Sequence, residues 1–185
     1  MVAELERQVE ACGHLPRGGF DRVVLATGSG GTAAGVALGV RLAGMTGPRG
    51  DPTKVVAYAV CDDEAYFYDH VQGLFDALGA VDPSTGVAFK SRDLLDVRLA
   101  KGLGYAMSDP RELAQVAALG GATGLLLDPV YTGKAFHGMS GDADEMQGEE
   151  VLYVHTGGAL GMFDKADELA PHLTGATCQR MRLPQ

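Results

Sequence analysis

The residues best placed to do chemistry form three short runs, each following an apolar segment. The first is Thr27-Gly-Ser-Gly-Gly-Thr32, which closes the apolar, β-branched run Phe20-Asp-Arg-Val-Val-Leu-Ala and opens an Ala-rich stretch over 33–43. Glycines let backbone turn sharply and approach a ligand. Unpaired amides at a helix start, with the positive end of its dipole, favour a phosphate. The Ser29 and Thr32 hydroxyls add two more donors to phosphate oxygens. A P-loop is excluded, because that motif ends in Gly-Lys-Ser/Thr and no lysine lies between Met1 and Lys54. The dinucleotide fingerprint is met only in part. Gly28, Gly30 and Ala33 fit it, but the acidic residues after the next strand, Asp62 and Asp63, come too late.

The second run is Leu127-Asp-Pro-Val-Tyr-Thr-Gly-Lys-Ala135. Asp128-Pro129 is a turn signal, and Asp128 can cap the segment after it. Tyr131 could stack on a flat ring or fill a core. Lys134 invites a Schiff-base role, although a helical lysine after glycine reads first as a surface charge. The third run is His155-Thr-Gly-Gly158 after a strand pattern, at the strand end where open α/β sheets bind ligands. His155 as a general base lacks any carboxylate partner that spacing identifies, so it reads as structural. The five histidines are not spaced as metal ligands, and no metal site is expected. Cys61-Asp-Asp-Glu64 reads as the acidic first turn of a helix. Asp142, Asp144, Glu145, Glu149 and Glu150 read as a solvated acidic loop, and Tyr66 and Tyr68 as packing residues.

The elements that must position these runs follow from periodicity. Strands are expected over 20–27, 54–60 and 150–155, with one or two short strands between 79 and 104. Helices are expected over 3–12 with Gly13 as a stop, over 33–43, over 62–78, from Ser108-Asp-Pro onward, and over 131–139. The run Leu125-Leu-Leu127 fits a strand or a buried helix end. Strands alternating with helices predict an α/β fold, a mostly parallel open sheet with helices on both faces. The 185 residues suit one domain of ordinary size. Lys and Arg number 15 against 24 Asp and Glu, a net charge of −9 that argues against nucleic acid or an anionic membrane as partner. No apolar stretch is long enough to span a membrane. Cys12, Cys61 and Cys178 are odd in number and far apart, which suits a reducing compartment, the cytoplasm or an organellar matrix.

Taken together, Ala26-Thr-Gly-Ser-Gly-Gly-Thr-Ala-Ala-Gly35, Leu127-Asp-Pro-Val-Tyr-Thr-Gly-Lys-Ala135 and Val154-His-Thr-Gly-Gly158 resemble one family in order and spacing. It is the D-cysteine desulfhydrase / 1-aminocyclopropane-1-carboxylate deaminase family of pyridoxal-phosphate enzymes. The pair Gly104-Tyr105 resembles that family's Gly-Tyr-Gly segment. The resemblance implies part of the large domain of a tryptophan synthase β-like (fold type II) enzyme, spanning 1–164, with 165–185 as a C-terminal tail. It implies that Gly28, Ser29, Gly30, Gly31 and Thr32 hold the phosphate of pyridoxal 5'-phosphate. Tyr131 would stack on the pyridine ring and Thr156 would reach the ring nitrogen. Tyr105 would line the substrate pocket and, with Tyr131, handle protons.

Thr132 and Thr156 stand where the family's deaminases carry Glu and Leu, which points to the desulfhydrase activity. That activity is α,β-elimination of D-cysteine to pyruvate, sulfide and ammonia. The 1-aminocyclopropane-1-carboxylate deaminase is the alternative, and a non-catalytic phosphate- or nucleotide-binding α/β module is the alternative of another class. The implied partners are a small amino-acid substrate and, for the complete enzyme, a second copy in a homodimer. The family's Schiff-base lysine lies in an N-terminal half this sequence does not match, and none of Lys54, Lys90, Lys101, Lys134 and Lys165 follows its motif. These 185 residues are therefore expected to be a C-terminal portion, inactive alone. The run Leu119-Gly-Gly-Ala-Thr123 is expected to interrupt a helix.

Overall fold

The computed structural model describes residues 1–12 and 19–173. The expected stop at Gly13, the thiol of Cys178 and the last part of the tail lie outside the described residues. In chain order the elements are α1 (Val2–Ala11), β1 (Arg22–Thr27), α2 (Gly31–Ala43), β2 (Lys54–Ala59), α3 (Glu64–Ala77), α4 (Ser91–Leu94), β3 (Asp96–Leu99), α5 (Pro110–Thr123), α6 (Thr132–Gly141), β4 (Val151–Val154), α7 (Gly161–Asp164) and α8 (Ala166–Leu169). Short 3₁₀ turns follow α6 and α8.

The four strands form one parallel sheet in the order β3-β2-β1-β4. Every residue of β1 is buried, as expected for a strand covered on both faces. Alternation then sorts the side chains. Val23, Leu25, Val55 and Ala57 pack with α2 and α3 residues such as Val36, Phe67 and Val71. Val24, Ala26, Val56 and Tyr58 pack on the opposite face with Ala135 of α6. A third cluster, Leu113, Val116, Leu127 and Leu169, joins α5 to α8. Gly138 sits where a Cβ would lie 2.8 Å from the Tyr58 ring, so glycine is what lets α6 settle onto β2.

Several expectations need correction. The helix expected to break at Leu119 continues through Gly120 and Gly121 to Thr123, and ends on left-handed Gly124. A capping box at its start, Asp109 with Glu112, and packing of Leu113 and Val116 outweigh the roughly 1 kcal/mol cost of each internal glycine. Residues 125–127 are neither strand nor helix: Leu125 and Leu126 are exposed and only Leu127 is buried. Beyond α7, α8 brings Leu169 into the third cluster. The acidic loop is only partly solvated: Asp144, Glu145 and Glu150 are exposed as expected, but three of its acids are paired. Arg98 pairs with Asp142 at 2.8 Å and with Glu145 at 2.9 Å, the Tyr58 hydroxyl donates to Asp142 at 2.7 Å, and buried Arg22 pairs with Glu149. Tyr68 packs as expected, whereas Tyr66 is half exposed, edge to face with Phe67 and stacked on His70. Among the described residues no helix is long and apolar enough to cross a membrane.

Candidate active site

Parallel strands deliver their carboxyl ends to one edge of the sheet, and the chemistry-bearing runs leave from that edge. β1 ends at Thr27 and passes through Gly28 and Ser29 to Gly30, whose φ of +76° is left-handed and natural only to glycine. Gly31 starts α2, a 13-residue helix whose first intrahelical bond runs from the Ala34 amide to the Gly30 carbonyl at 2.9 Å. The amides before Ala34 have no acceptor within the helix. Ser29, Gly31 and Thr32 are exposed, and no heavy atom lies within 4 Å of where a Gly31 side chain would begin. This is the open, donor-rich corner that a phosphate requires.

Tyr131 stands over this corner. A Cβ on Gly28 would lie 2.8 Å from Tyr131 Cε1, so the tyrosine ring covers the turn where glycine leaves room. Asp128 holds it there. Its buried carboxylate accepts from the amides of Val130, Tyr131 and Thr132 at 2.9, 2.7 and 2.8 Å, and from the Thr132 hydroxyl at 2.6 Å. The Thr132 hydroxyl in turn accepts from the Asp128 amide at 2.9 Å. Tyr153 of β4 donates to the Thr132 carbonyl at 2.6 Å. Burial, with the charge of Asp128 behind it, drives the Tyr153 phenol well above its ordinary value, so it stays protonated as a donor.

Across from Tyr131 stands Tyr105, half exposed, on the 101–108 loop. The two hydroxyls lie 2.5 Å apart and the rings meet edge to face at 5.9 Å. The bond from Tyr105, reinforced by desolvation, pushes the Tyr131 phenol up to about 12. Thr156 is exposed two residues beyond the end of β4, the strand paired directly beside β1. Gly158 packs so closely on Asp128 that a Cβ there would lie 2.8 Å from its Cγ, which ties the third run to the second.

Other candidates fall into place. His155 has both ring nitrogens engaged, Nε2 on the Leu126 carbonyl at 2.8 Å and Nδ1 on the Gly157 amide at 3.0 Å. It holds the loop after β4 rather than offering a free base. Thr132 is fully buried with its hydroxyl closed onto Asp128, so it does not face the space above the turn as a contact residue would. The Cys61 thiol, directed at the Gly28 carbonyl at 3.7 Å, is raised to about 11 by burial and by Asp62, the opposite of an activated nucleophile.

Lys134 is the clearest reversal. It is not a surface charge: its side chain is fully buried and paired with Glu112 at 2.9 Å. The capping pattern Asp109-x-x-Glu112 is legible in the sequence, but nothing there joins Glu112 to Lys134. His70 is a further residue that sequence reasoning misses. Its Nε2 lies 3.0 Å from the Ser29 carbonyl, buttressing the glycine turn from α3, with no sequence signal beyond its helical register.

The donor set can be tested against a phosphorylated, flat cofactor. The Thr27 hydroxyl is buried at the end of β1 with no hydrogen-bond partner, an orphan at the mouth of the turn. Amides and hydroxyls suit a phosphate dianion, and the aromatic roof suits a planar ring. The residues present fit the group.

A parallel α/β sheet with a glycine turn and an open helix start beneath a tyrosine ring is an arrangement suited to a phosphorylated cofactor. This chain belongs to the family described as pyridoxal-phosphate dependent enzyme, whose model matches residues 1–157. It is 45% identical over 155 residues to the bifunctional D-cysteine desulfhydrase/1-aminocyclopropane-1-carboxylate deaminase, mitochondrial, of Arabidopsis thaliana, covering 82% of this chain and 35% of that protein. It is 31% identical over 163 residues to a D-cysteine desulfhydrase of Yersinia pestis, covering 86% of this chain and 46% of that protein. The fold matches the crystal structure of an ACC deaminase homologue with a TM-score of 0.67 and 29% identity, over 93% of this chain and 49% of that one. The chain thus spans between about a third and a half of the length of these relatives.

Proposed function

We propose that this chain carries the phosphate-binding, ring-covering and substrate-facing part of a pyridoxal-phosphate lyase of the D-cysteine desulfhydrase type. The reaction of the complete enzyme consumes D-cysteine and water and releases pyruvate, hydrogen sulfide and ammonia. The observation that carries this reading is the Tyr131 ring against Gly28 with its hydroxyl on Tyr105, at the open start of α2. Gly28, Ser29, Gly30, Gly31 and Thr32 hold the phosphate through amides and hydroxyls. Tyr131 covers one face of the ring. Thr156 gives the ring nitrogen a neutral hydroxyl partner, which leaves that nitrogen without the fixed proton a carboxylate would impose. When bound, pyridoxal phosphate supplies the electron sink for the pair left at Cα as its proton departs. Tyr105 and Tyr131 are hydrogen-bonded through their hydroxyls, and the pair can relay a proton to or from a substrate beside it.

The lysine that would anchor the cofactor is not supplied by these residues. Lys134 is buried against Glu112, and the other four lysines follow no such motif. We infer that catalysis needs a lysine from outside these residues, and the exposed apolar side chains of Leu103, Met107 and Leu126 offer a surface for the chain that would bring it. The free thiols of Cys12 and Cys61 suit a reducing cytoplasm or organellar matrix.

A deaminase acting on 1-aminocyclopropane-1-carboxylate is the competing activity. The resemblance speaks against it at Thr132 and Thr156, where deaminases carry Glu and Leu; of the two, Thr156 is exposed and Thr132 is closed onto Asp128. The test begins with binding. Added pyridoxal phosphate should shift the amide resonances of Gly30, Gly31 and Thr32 and quench Tyr131 fluorescence, and Ser29→Ala with Thr32→Val should weaken both. Shifts with inorganic phosphate and cofactor alike, but no tyrosine response, would favour a plain phosphate-binding module. No shift at all would defeat the reading. In a complete enzyme, Thr156→Leu should move turnover from D-cysteine toward the cyclopropane substrate.

A further inference from the structure

Lys134 is a buried charge that the proposed chemistry does not use. Its Nζ donates to three oxygens: Glu112 Oε2 at 2.9 Å, the Lys101 carbonyl at 3.0 Å and the Met107 carbonyl at 2.8 Å. An ammonium has three protons, and each has one acceptor. Two of those acceptors bracket a single loop, 101–107, and that loop carries Tyr105.

The loop would not hold this shape unaided. Gly102 at φ +54° and Ala106 at φ +56° are both left-handed, and the second carries a side chain in a region it disfavours. Its own turn bonds are few: Gly104 N–H to the Lys101 carbonyl at 2.9 Å and Met107 N–H to the Gly104 carbonyl at 3.2 Å. Leu103, Tyr105 and Met107 are exposed, so apolar packing does not fix it either. A side chain at 102 would run into Glu112 Oε1, so the loop wraps tightly on the ion pair. Glu112 is itself locked, accepting from the Asp109 amide at 3.0 Å in the capping box of α5.

The other end of the device is equally fixed. Lys134 lies one turn along α6 from Tyr131, whose carbonyl accepts from the Ala135 amide at 3.0 Å. One helical turn therefore sets both the Tyr131 ring and the anchor of the loop that brings Tyr105 to it.

We propose that Lys134 and Glu112 are positioning residues: their buried ion pair pulls the 101–107 loop onto α6 and so sets the Tyr105 hydroxyl against that of Tyr131. The proposal deepens the reading of the site, and rests on it only for why the two phenols matter; the geometry it claims does not depend on a cofactor.

The decisive variant is the double substitution Lys134→Met with Glu112→Leu, which removes both charges and keeps apolar volume, a change that buried pairs often tolerate. Two readouts and one control variant apply to the chain itself. Amide hydrogen exchange at 103–107 should accelerate about tenfold or more, while exchange at 22–27 stays as in the parent. The tyrosinate titration assigned to Tyr131 by subtraction of Tyr131→Phe should fall from about 12 toward an ordinary phenol. Tyr105→Phe should produce that second change without the first, which separates loop anchoring from the phenol contact. Parent-like exchange or a parent-like Tyr131 titration in the folded double variant overturns the proposal. Should the double variant not fold, the parent decides: hydrogen-bond couplings from the Lys134 ammonium nitrogen to the Lys101 and Met107 carbonyl carbons are expected, and their absence overturns it. Failure of the lyase reading appears separately, as missing cofactor shifts at 30–32 with these loop readouts intact.

Discussion

The glycine turn and the tyrosine loop face the same space but are held in opposite ways. Residues 27–32 take their shape from neighbours in sequence: a fully buried strand before them, a left-handed Gly30, and a long helix after them. The 101–108 loop has a short four-residue strand before it and three positive-φ positions within it, and takes its shape from an ammonium group about thirty residues away. A binding corner that needs only backbone amides can be encoded locally. A pair of phenols that must meet at 2.5 Å needs an anchor common to both, and a buried ion pair supplies it.

The contrast can be broken most forcefully at the anchor. Lys134→Ala leaves Glu112 buried and uncompensated and should cost about 3–5 kcal/mol, read by urea unfolding. A loss below 1 kcal/mol would mean the pair is dispensable. Asp128→Ala removes the acceptor for three amides and a buried hydroxyl at the start of α6, and should cost roughly 2–3 kcal/mol while freeing Tyr131 from Gly28. Next comes Gly28→Ala, whose methyl would meet the Tyr131 ring; about 1–3 kcal/mol of overpacking is expected, with cofactor affinity lost alongside.

A pH titration sharpens the comparison further. Because the folded Tyr131 phenol sits at about 12 and an unfolded tyrosine near 10, the native state holds more protons in between, so stability should fall as pH rises through that window. Tyr105→Phe should flatten that decline; a slope unchanged by the substitution would disconnect the shift from the phenol pair. The smallest effect belongs to the contact that reaches the glycine turn from α3. His70→Ala removes one exposed contact to the Ser29 carbonyl and should change stability by less than about 1 kcal/mol, since the turn is locally determined.

The same division separates the legible residues from the rest. The strand-turn-helix at 22–43 is legible because β-branched burial, glycine and Ala-rich helix agree at every step. The capping power of Asp128 is legible from its place before proline. The fates of Lys134, Thr132 and the acidic loop are not. Each depends on a partner brought close only by folding: Glu112 for Lys134, β4 packing over the Asp128–Thr132 closure, and Arg98 and Arg22 for the acids. The helix through Gly120 and Gly121 is hidden for another reason, since local propensity favours a break that capping and core packing override.

By itself, the sequence determined the alternation of strands and helices and the glycine turn that opens α2, because backbone turns and helix starts are chosen by residues within a few positions. Which lysine is buried, which threonine is closed away and how two tyrosines meet were decided only by the tertiary structure, because a buried charge or hydroxyl is defined by whatever the rest of the chain sets opposite it.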